Sequence, residues 1–544
     1  MNDFFRTLLV LLLFTSLAFG EERPFTPIKN DFVENGVPFV VDISNEYSEE
    51  NLRSEAEKVD LTEEDSSFSE EIDEDTPVTH EEIAGEKNLT SSRPWKAPDF
   101  SSQEKALGYG PQAFAIPAGM EKQFKFWVDI YSKYNTDQGV LHDAEYIDLI
   151  YEELDFSAIS SRTDIKGYQK EHMKIKMVKE GKRRVIALLE KLSKLKEPTG
   201  LTPPEMKVWE YFEKIKGPKK FSEAAKKNRL RFQLWQRDRV IQGIYFSGRY
   251  IEEFEKIFRE AGMPIELARL PFVESSYNVL ARSKVGASGL WQIMPYTMKG
   301  FMKRDLAIDL RNHPMEATKV AAKLLRINFN MLQSWPLAMT GYNHGPSGVL
   351  KLTKKYKTRE LSELVTNVAS RKRFGFASRN FYASFLAVLE VTNDAPKYLG
   401  AVTWSQPLEQ ADIKLPLAVG YRDLLRWFDG DDLKTQIYNP HITRIARTRG
   451  RLIPKGVVIS ISKAKMEVVS KELESPDALK QAQLSGGNLN LPNLKDEKTA
   501  YRVRKGDTVQ GIAQQFGVPV GEILTANNMK KVSRLRVGQV LKIP

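Results

Sequence analysis

Cysteine is absent from the 544 residues. That excludes disulfides, thiolate catalysis and cysteine-based zinc sites, and with them a lipid anchor built on an N-terminal cysteine. Histidine is scarce, six in all, and none has a partner at ligand spacing. His142-Asp143 therefore does not read as a metal centre, and no metal or cofactor is expected. Beyond the first twenty residues no stretch approaches eighteen uninterrupted apolar residues, so no membrane span or membrane anchor is expected. Charge is plentiful but uneven. Residues 41–90 hold eighteen Asp or Glu, from Asp42 to Glu86, against Arg53, Lys58 and Lys87, a balance of about −15. The whole chain carries +10, which leaves about +25 on the rest. A basic body of that kind suits a polyanionic partner, whether nucleic acid, an anionic membrane surface or an acidic wall polymer. No nucleic-acid motif accompanies it.

The opening MNDFFRTLLVLLLFTSLAFG has Arg6 before an apolar run, and Ala18 and Gly20 stand at −3 and −1 of a cut before Glu21. It reads as a signal peptide over residues 1–20, so an exported, monomeric protein is expected. Residues 21–105 are acidic, serine-rich and repeatedly interrupted by proline, and read as a disordered linker. From 106 to 249 the pattern is helical. Phe124, Phe126, Trp127, Ile130 and Tyr131 recur at helix spacing, as do Tyr146, Ile147, Ile150 and Tyr151, and a further helix is predicted from Arg229 to Phe246. The helix Tyr250 to Ala261 stops at Gly262 with Pro264 beyond. Residues 250–395 form the next unit, 400–470 mix short strands with a helix at Tyr421 to Phe428, 475–499 read as a linker, and 500–544 as a small strand-helix-helix-strand module. The fold class is α+β and multidomain.

The chemistry concentrates between Leu270 and Pro295. The apolar turn Leu270-Pro-Phe-Val273 delivers one acid, Glu274. A carboxyl held against apolar neighbours keeps a proton more readily, which suits a general acid. Alone, such a glutamate is more often a solvated helix residue. A glycine-rich island, Val285-Gly-Ala-Ser-Gly-Leu-Trp-Gln-Ile-Met-Pro295, follows and would let backbone approach a bulky polar ligand such as a sugar. Tyr342-Asn343 closes a later apolar helix, and another helix begins at Phe376.

Taken in order, Glu274-Ser275, Asn278, Ser283, Val285 to Gln292 and Tyr342-Asn343 resemble the soluble-lytic-transglycosylase catalytic domain, a mainly α-helical lysozyme-like fold that cleaves peptidoglycan glycan strands. The resemblance covers residues 250–395. Tyr501-x-Val503, Gly506-Asp507-Thr508, Ile512-Ala513, Phe516-Gly517, Asn527-Asn528 and Val537 to Pro544 resemble a LysM module, which binds polymers containing N-acetylglucosamine. The order of the two is that of the membrane-bound lytic murein transglycosylase D type, although the lipoprotein cysteine of that type is missing. Leu417 to Ile459 is a weaker echo of LysM, without its Gly-Asp-Thr turn, and 400–470 is read as a degenerate, structural copy.

The resemblance implies that one glutamate, Glu274, serves as acid and then base. It would cut between N-acetylmuramic acid and N-acetylglucosamine and leave a 1,6-anhydromuramyl end, in the periplasm or outside the cell. Ser283 matches the serine that orients the substrate acetamido group; Gln292 and the Trp291 backbone would line the same subsite, with Tyr342 and Asn343 flanking the acid. The family also places a tyrosine on the closing helix against the glutamate. Register puts Phe381 there and Tyr382 one residue later. In the LysM module Gly506, Asp507, Thr508 and Asn527 are the candidate sugar contacts, with helix capping as their structural alternative. Hydrolytic muramidase chemistry would need a positioned water and usually a second carboxylate, for which Asp305 and Asp309 are the later acids in line. A non-catalytic wall-binding scaffold is the third reading.

Overall fold

The computed structural model describes residues 92–97, 114–283, 285–368, 374–475, 499–503, 507–516, 520–527, 529, 535–536 and 538–543. The expected signal peptide, nearly all of the acidic stretch, most of the 475–499 linker and Gly506 lie outside these residues.

A helical core surrounds the Leu270–Pro295 stretch. Helix α1 (Glu121–Ser132) lies along α11 (Phe376–Asn393), with α4 (Arg237–Ser247), α5 (Ile251–Glu260), α6 (Leu270–Ser275), α7 (Pro314–Leu332), α8 (Trp335–His344), α9 (Pro346–Tyr356) and α10 (Leu361–Asn367) sharing one hydrophobic cluster with them. In α5, Ile251, Phe254 and Phe258 are buried on one face, and Gly262 (φ +60°) permits the chain reversal just past its end. Proline at its first turn and a His313 N-cap start α7, while left-handed Gln333 ends it. Phe381 to Val388 of α11 are all buried, as expected of a helix that is apolar all round. It is the central element of the core.

Between α1 and α4 the chain is helical but also carries a three-stranded antiparallel sheet. Its order is β3 (Ile150–Asp155), β2 (Gln138–Asp143), β4 (Leu230–Leu234). The helix expected over Tyr146 to Tyr151 is therefore corrected to a turn and a strand. The Asp143 carboxylate accepts the Glu145 and Tyr146 N–H groups at 2.8 and 3.0 Å and turns the chain into β3. The helix expected from Arg229 is corrected too, because Leu230, Phe232 and Leu234 alternate inward as a strand before α4 begins at Arg237. Helices α2 (Gly167–Ser193) and α3 (Pro203–Glu213) cover this sheet around their own core of Leu141, Leu154, Leu189, Trp209 and Phe212. His142 lies fully buried in β2, its Nδ1 3.0 Å from the Asp143 carbonyl. Among the described residues no cluster of three or more His, Asp or Glu is placed to hold a metal ion.

Ser92–Pro94, inside the stretch read as linker, is a short strand β1 paired with β5 (Thr403–Ser405). Arg93 fixes it by an ion pair to Glu252 at 2.6 Å and by lying over the Trp404 ring. Further on, β6 (Gln410–Lys414), α12 (Tyr421–Trp427), α13 (Asp432–Tyr438) and β7 (Val458–Ser462) form a unit whose two strands pair antiparallel around Ile413, Leu424, Trp427, Ile437 and Ile459. The same order recurs at the C-terminus as β8 (Thr499–Arg502), α15 (Val509–Phe516), α16 (Val520–Ala526) and β9 (Val540–Ile543), around Val503, Val509, Ile512, Ile523 and Leu541. The weaker sequence echo thus shares this strand-helix-helix-strand frame but adds a short third helix, α14 (Arg444–Arg449), before its closing strand, and its opening strand lies upstream of Leu417. Among the described residues no helix is long and apolar enough to cross a membrane.

Candidate active site

Glu274 stands on the last turn of α6, a six-residue helix started by Pro271 and anchored by buried Leu270, Pro271 and Phe272. Two consecutive non-glycine residues then adopt the left-handed region, Ser276 (φ +50°) and Tyr277 (φ +60°). Such positions cost on the order of 1–3 kcal/mol each and persist where their surroundings fix them. Here the fixing groups are visible. The fully buried Tyr277 hydroxyl donates to the Ala268 carbonyl at 2.5 Å, and Ser275 Oγ donates to the Leu290 carbonyl at 3.0 Å. The acid is thereby held partly buried at the junction of α6 and the glycine island.

Arg311 clamps that island from below, although sequence reasoning had passed over it. Its guanidinium, paired with Asp309 at 2.7 Å, donates to the Gly286 carbonyl at 2.6 Å and the Ile293 carbonyl at 3.0 Å. Between those two anchors Gly289 sits at φ +78°, where a Cβ would lie 2.1 Å from the Arg311 carbonyl oxygen. Both the backbone angle and the close approach demand glycine. Gly289→Ala is expected to lower stability by on the order of 2–3 kcal/mol and to depress turnover with it. Chemical denaturation alongside a wall-digestion assay checks both.

Of the expected substrate contacts, Ser283 Oγ accepts the Ala287 N–H at 2.9 Å, which uses a lone pair and not the hydroxyl proton. Gln292 is left-handed (φ +43°), and its amide nitrogen donates to the Gly289 and Ala281 carbonyls at 2.9 and 3.2 Å. The Trp291 side chain is wholly buried, beside Phe254 and Phe258, with Nε1 donating to Thr318 at 2.8 Å. Its side chain is therefore core, and only its backbone is left to line the expected subsite. The Trp291 carbonyl accepts the Tyr342 hydroxyl at 2.9 Å. Burial raises the pKa of that hydroxyl well above its ordinary value, and the nearby charge of Glu274 raises it further. Asn343, at the exposed end of α8, accepts from Ser378 Oγ at 2.8 Å.

The closing helix is organised differently from the expectation. Phe381 is buried, and Tyr382 is buried with its hydroxyl donating to the Ala115 carbonyl at 3.2 Å. A tyrosine that does feel Glu274 comes from α1. Burial raises the pKa of Tyr131, a hydrogen bond with Ser384 works the other way, and the Glu274 charge adds to the rise. The helix-spaced aromatics of α1 were legible only as core, and nothing local marks Tyr131 as different. The later acids are committed elsewhere. Asp305 caps the Ala307 and Ile308 N–H groups at 2.6 and 3.0 Å, and Asp309 is paired with Arg311.

In the C-terminal module Asp507 accepts the Tyr501 hydroxyl at 2.8 Å, and the Thr508 carbonyl accepts Ile512 N–H in the first turn of α15. Asn527 clips α16 to β9, its side chain bonding the Ile523 carbonyl and both the N–H and the carbonyl of Lys542. Asp507 is thus bonded to β8 and Asn527 to α16 and β9; Gly506 lies outside the described residues.

Residues 253–365 match the Transglycosylase SLT domain family, and residues 501–544 match the LysM domain family. Over 296 residues, 52% of this chain and 61% of the relative, the chain is 25% identical to the membrane-bound lytic murein transglycosylase D of Escherichia coli (strain K12). The same figures hold for the protein of that name in Escherichia coli O6:H1 (strain CFT073). The match thus spans about three-fifths of the length of these curated relatives.

Proposed function

We propose that this chain, which carries a transglycosylase SLT domain and a LysM domain in one polypeptide, is a peptidoglycan lytic transglycosylase acting in the periplasm or outside the cell. The observation that carries the reading is the setting of Glu274. One partly buried carboxyl stands on a braced turn, its charge felt by two buried tyrosines, while Asp305 and Asp309 are bound to other partners.

One carboxyl is chemically sufficient when the substrate brings its own nucleophiles. In the first step Glu274 gives its proton to the glycosidic oxygen between N-acetylmuramic acid and N-acetylglucosamine. The C1–O bond breaks as the muramyl 2-acetamido oxygen closes on C1, oriented by Ser283. In the second step the Glu274 carboxylate takes the proton of the muramyl 6-hydroxyl, O6 bonds to C1, and the acetamido oxygen leaves. The carboxyl is regenerated, no water is consumed, and the product ends in a 1,6-anhydro ring. The LysM domain holds wall polymer near the site and raises its local concentration. The basic balance of the body favours approach to acidic wall material.

The test is to digest purified peptidoglycan with residues 21–544 and identify the new muramyl ends by mass spectrometry before and after borohydride. Anhydro ends, which resist reduction, are expected. Reducible ends would mean hydrolysis, and wall binding without any product would mean a scaffold; either result overturns the proposal.

A further inference from the structure

We propose that the repeat running from β6 to β7 is a positioning module for the candidate active site. It grips the tip of loop 303–313, and through that loop it sets the glycine island beside Glu274. The consequence for turnover rests on the reading of Glu274 as acid and base; the link between repeat and island does not.

Three observations carry it. First, the tip of the loop is built into the repeat and not into the helical core. Ala307 and Ile308 are fully buried in one cluster with Ile413, Leu424, Trp427 and Ile459. Ile308 and Ile442 form an antiparallel bridge. It is closed by Asp309 N–H donating to the His441 carbonyl at 2.8 Å and Thr443 N–H donating to the Ala307 carbonyl at 2.9 Å. Thr443 Oγ1 donates to the Leu306 carbonyl at 2.5 Å and accepts the Ala446 N–H at 3.3 Å, so one hydroxyl joins the loop to α14.

Second, the base of the same loop holds the island. Besides the two carbonyls tied by Arg311, Asn312 Oδ1 accepts the Ser288 hydroxyl at 2.7 Å, and the island in turn accepts the Ser275 hydroxyl at Leu290, next to Glu274. Only Asp309 and Leu310 stand between Ile308 and Arg311. The loop is also braced internally, because the Ile308 carbonyl accepts the Asp305 N–H at 2.9 Å while the Asp305 carboxylate accepts the Ile308 N–H at 3.0 Å. A shift at the tip is therefore passed to the base.

Third, the repeat has given up to this contact the turn that its C-terminal counterpart leaves more open. Asn439 at the end of α13 donates to the Thr435 carbonyl and bonds both the N–H and the carbonyl of Ser460 in β7, as Asn527 does with Ile523 and Lys542. The two frames thus agree down to one side chain. Asn527 is only half-buried, whereas Asn439, His441 and Ile442 are buried, with His441 and Ile442 against the loop. A turn covered by the catalytic loop is closed to a sugar, and its work is done on the protein. Small misplacements near a catalytic group are costly, up to about a hundredfold per ångström.

The experiment uses the full chain with Thr443→Val, which loses the hydroxyl but keeps the backbone bond to Ala307, and Thr443→Ser, which keeps the hydroxyl. Both are read well below their melting temperatures. The measurements are kcat and KM on soluble glycan fragments, co-sedimentation with insoluble wall, and amide hydrogen exchange of residues 286–293 by mass spectrometry. Thr443→Val is expected to lower kcat about fivefold, with KM within about twofold and co-sedimentation unchanged, and to speed exchange in the island about tenfold. Thr443→Ser should restore both. Wild-type kcat in Thr443→Val overturns the proposal, and so does wild-type exchange. Lost co-sedimentation with kcat unchanged would make the repeat a wall-binding module and overturns it too. Should Thr443→Val fail to fold, Ile308→Val, one methyl less at the loop tip, is read in the same way, and unaltered kcat and exchange there overturn the proposal. Glu274→Gln run in parallel keeps the two levels apart. Normal turnover in that variant would mean that the acid is misassigned, while the exchange rates, which need no substrate, still decide the link.

Discussion

Glu274→Gln is expected to leave the fold and wall binding intact and to remove turnover, by about a thousandfold or more. General acid and general base catalysis are each worth about 10²–10⁴-fold, and in the proposed mechanism one carboxyl serves both steps. Glutamine keeps the shape of the side chain but can neither give nor take the proton. The bonds that brace the turn, from Ser275 to Leu290 and from Tyr277 to Ala268, come from neighbouring hydroxyls and not from the carboxyl. The LysM domain is separate in sequence from the acid, so co-sedimentation with insoluble wall should persist while release of anhydro-muropeptides stops. The substitution also removes the charge that Tyr131 and Tyr342 feel, which lowers the pKa of both hydroxyls while burial still holds them above the ordinary value. Wild-type turnover in Glu274→Gln would remove Glu274 from the mechanism.

The acid and the glycine island were legible because their signal is local: an apolar turn, one acid, then glycines within about twenty residues. The support beneath them was not. Arg311 and Asp309, two residues apart, look from sequence like a solvated pair, and only the fold shows that the guanidinium ties two carbonyls of a loop more than fifteen residues upstream. Tyr131, whose pKa the Glu274 charge raises, lies at an even longer separation, and its spacing is that of any buried helical aromatic. The misread strands have a different cause. Tyr146, Ile147, Ile150 and Tyr151 satisfy a helical period as well as they satisfy a turn and a strand, and the deciding group, the Asp143 carboxylate, sits outside the window. The degenerate repeat was half legible. Its helix and closing strand carry local patterns, but β6 is recognisable only through its pairing with β7.

That repeat bears on the second large effect, a loss of stability on mild acidification. His313 caps α7 and His441 follows α13, with their rings 4.6 Å apart and both fully buried. Burial lowers the pKa of each. Asp412 and Glu316 pull His313 partly back up while Lys319 lowers it, and His313 itself pushes His441 further down. His313 Nδ1 accepts the Glu316 N–H and needs its lone pair there, while the Val458 backbone approaches His441 without a well-aligned bond. A histidine whose folded pKa is depressed binds its proton first in the unfolded chain. The pair therefore costs nothing above about pH 6.5, and stability falls as pH drops below that value towards the folded pKa values, by up to about 1.4 kcal/mol per pH unit for each ring. His142, pushed down to about 3 by burial and by Arg231, adds in the same sense. Asp309 behaves like any carboxylate with a lowered folded pKa: its contribution is complete above about pH 4 and lost only as pH falls further. Calorimetry at constant ionic strength from pH 7 to 5 should show the falling melting temperature, and His441→Phe should flatten the slope by about one proton per molecule. A flat profile over that range would refute the assignment of neutral, buried rings. The loss should reach activity as well. The His441 carbonyl accepts the Asp309 N–H at 2.8 Å, and Asp309 holds Arg311, which holds the glycine island beside Glu274. Loosening the His313–His441 contact is therefore expected to slacken the loop beside Glu274 as well.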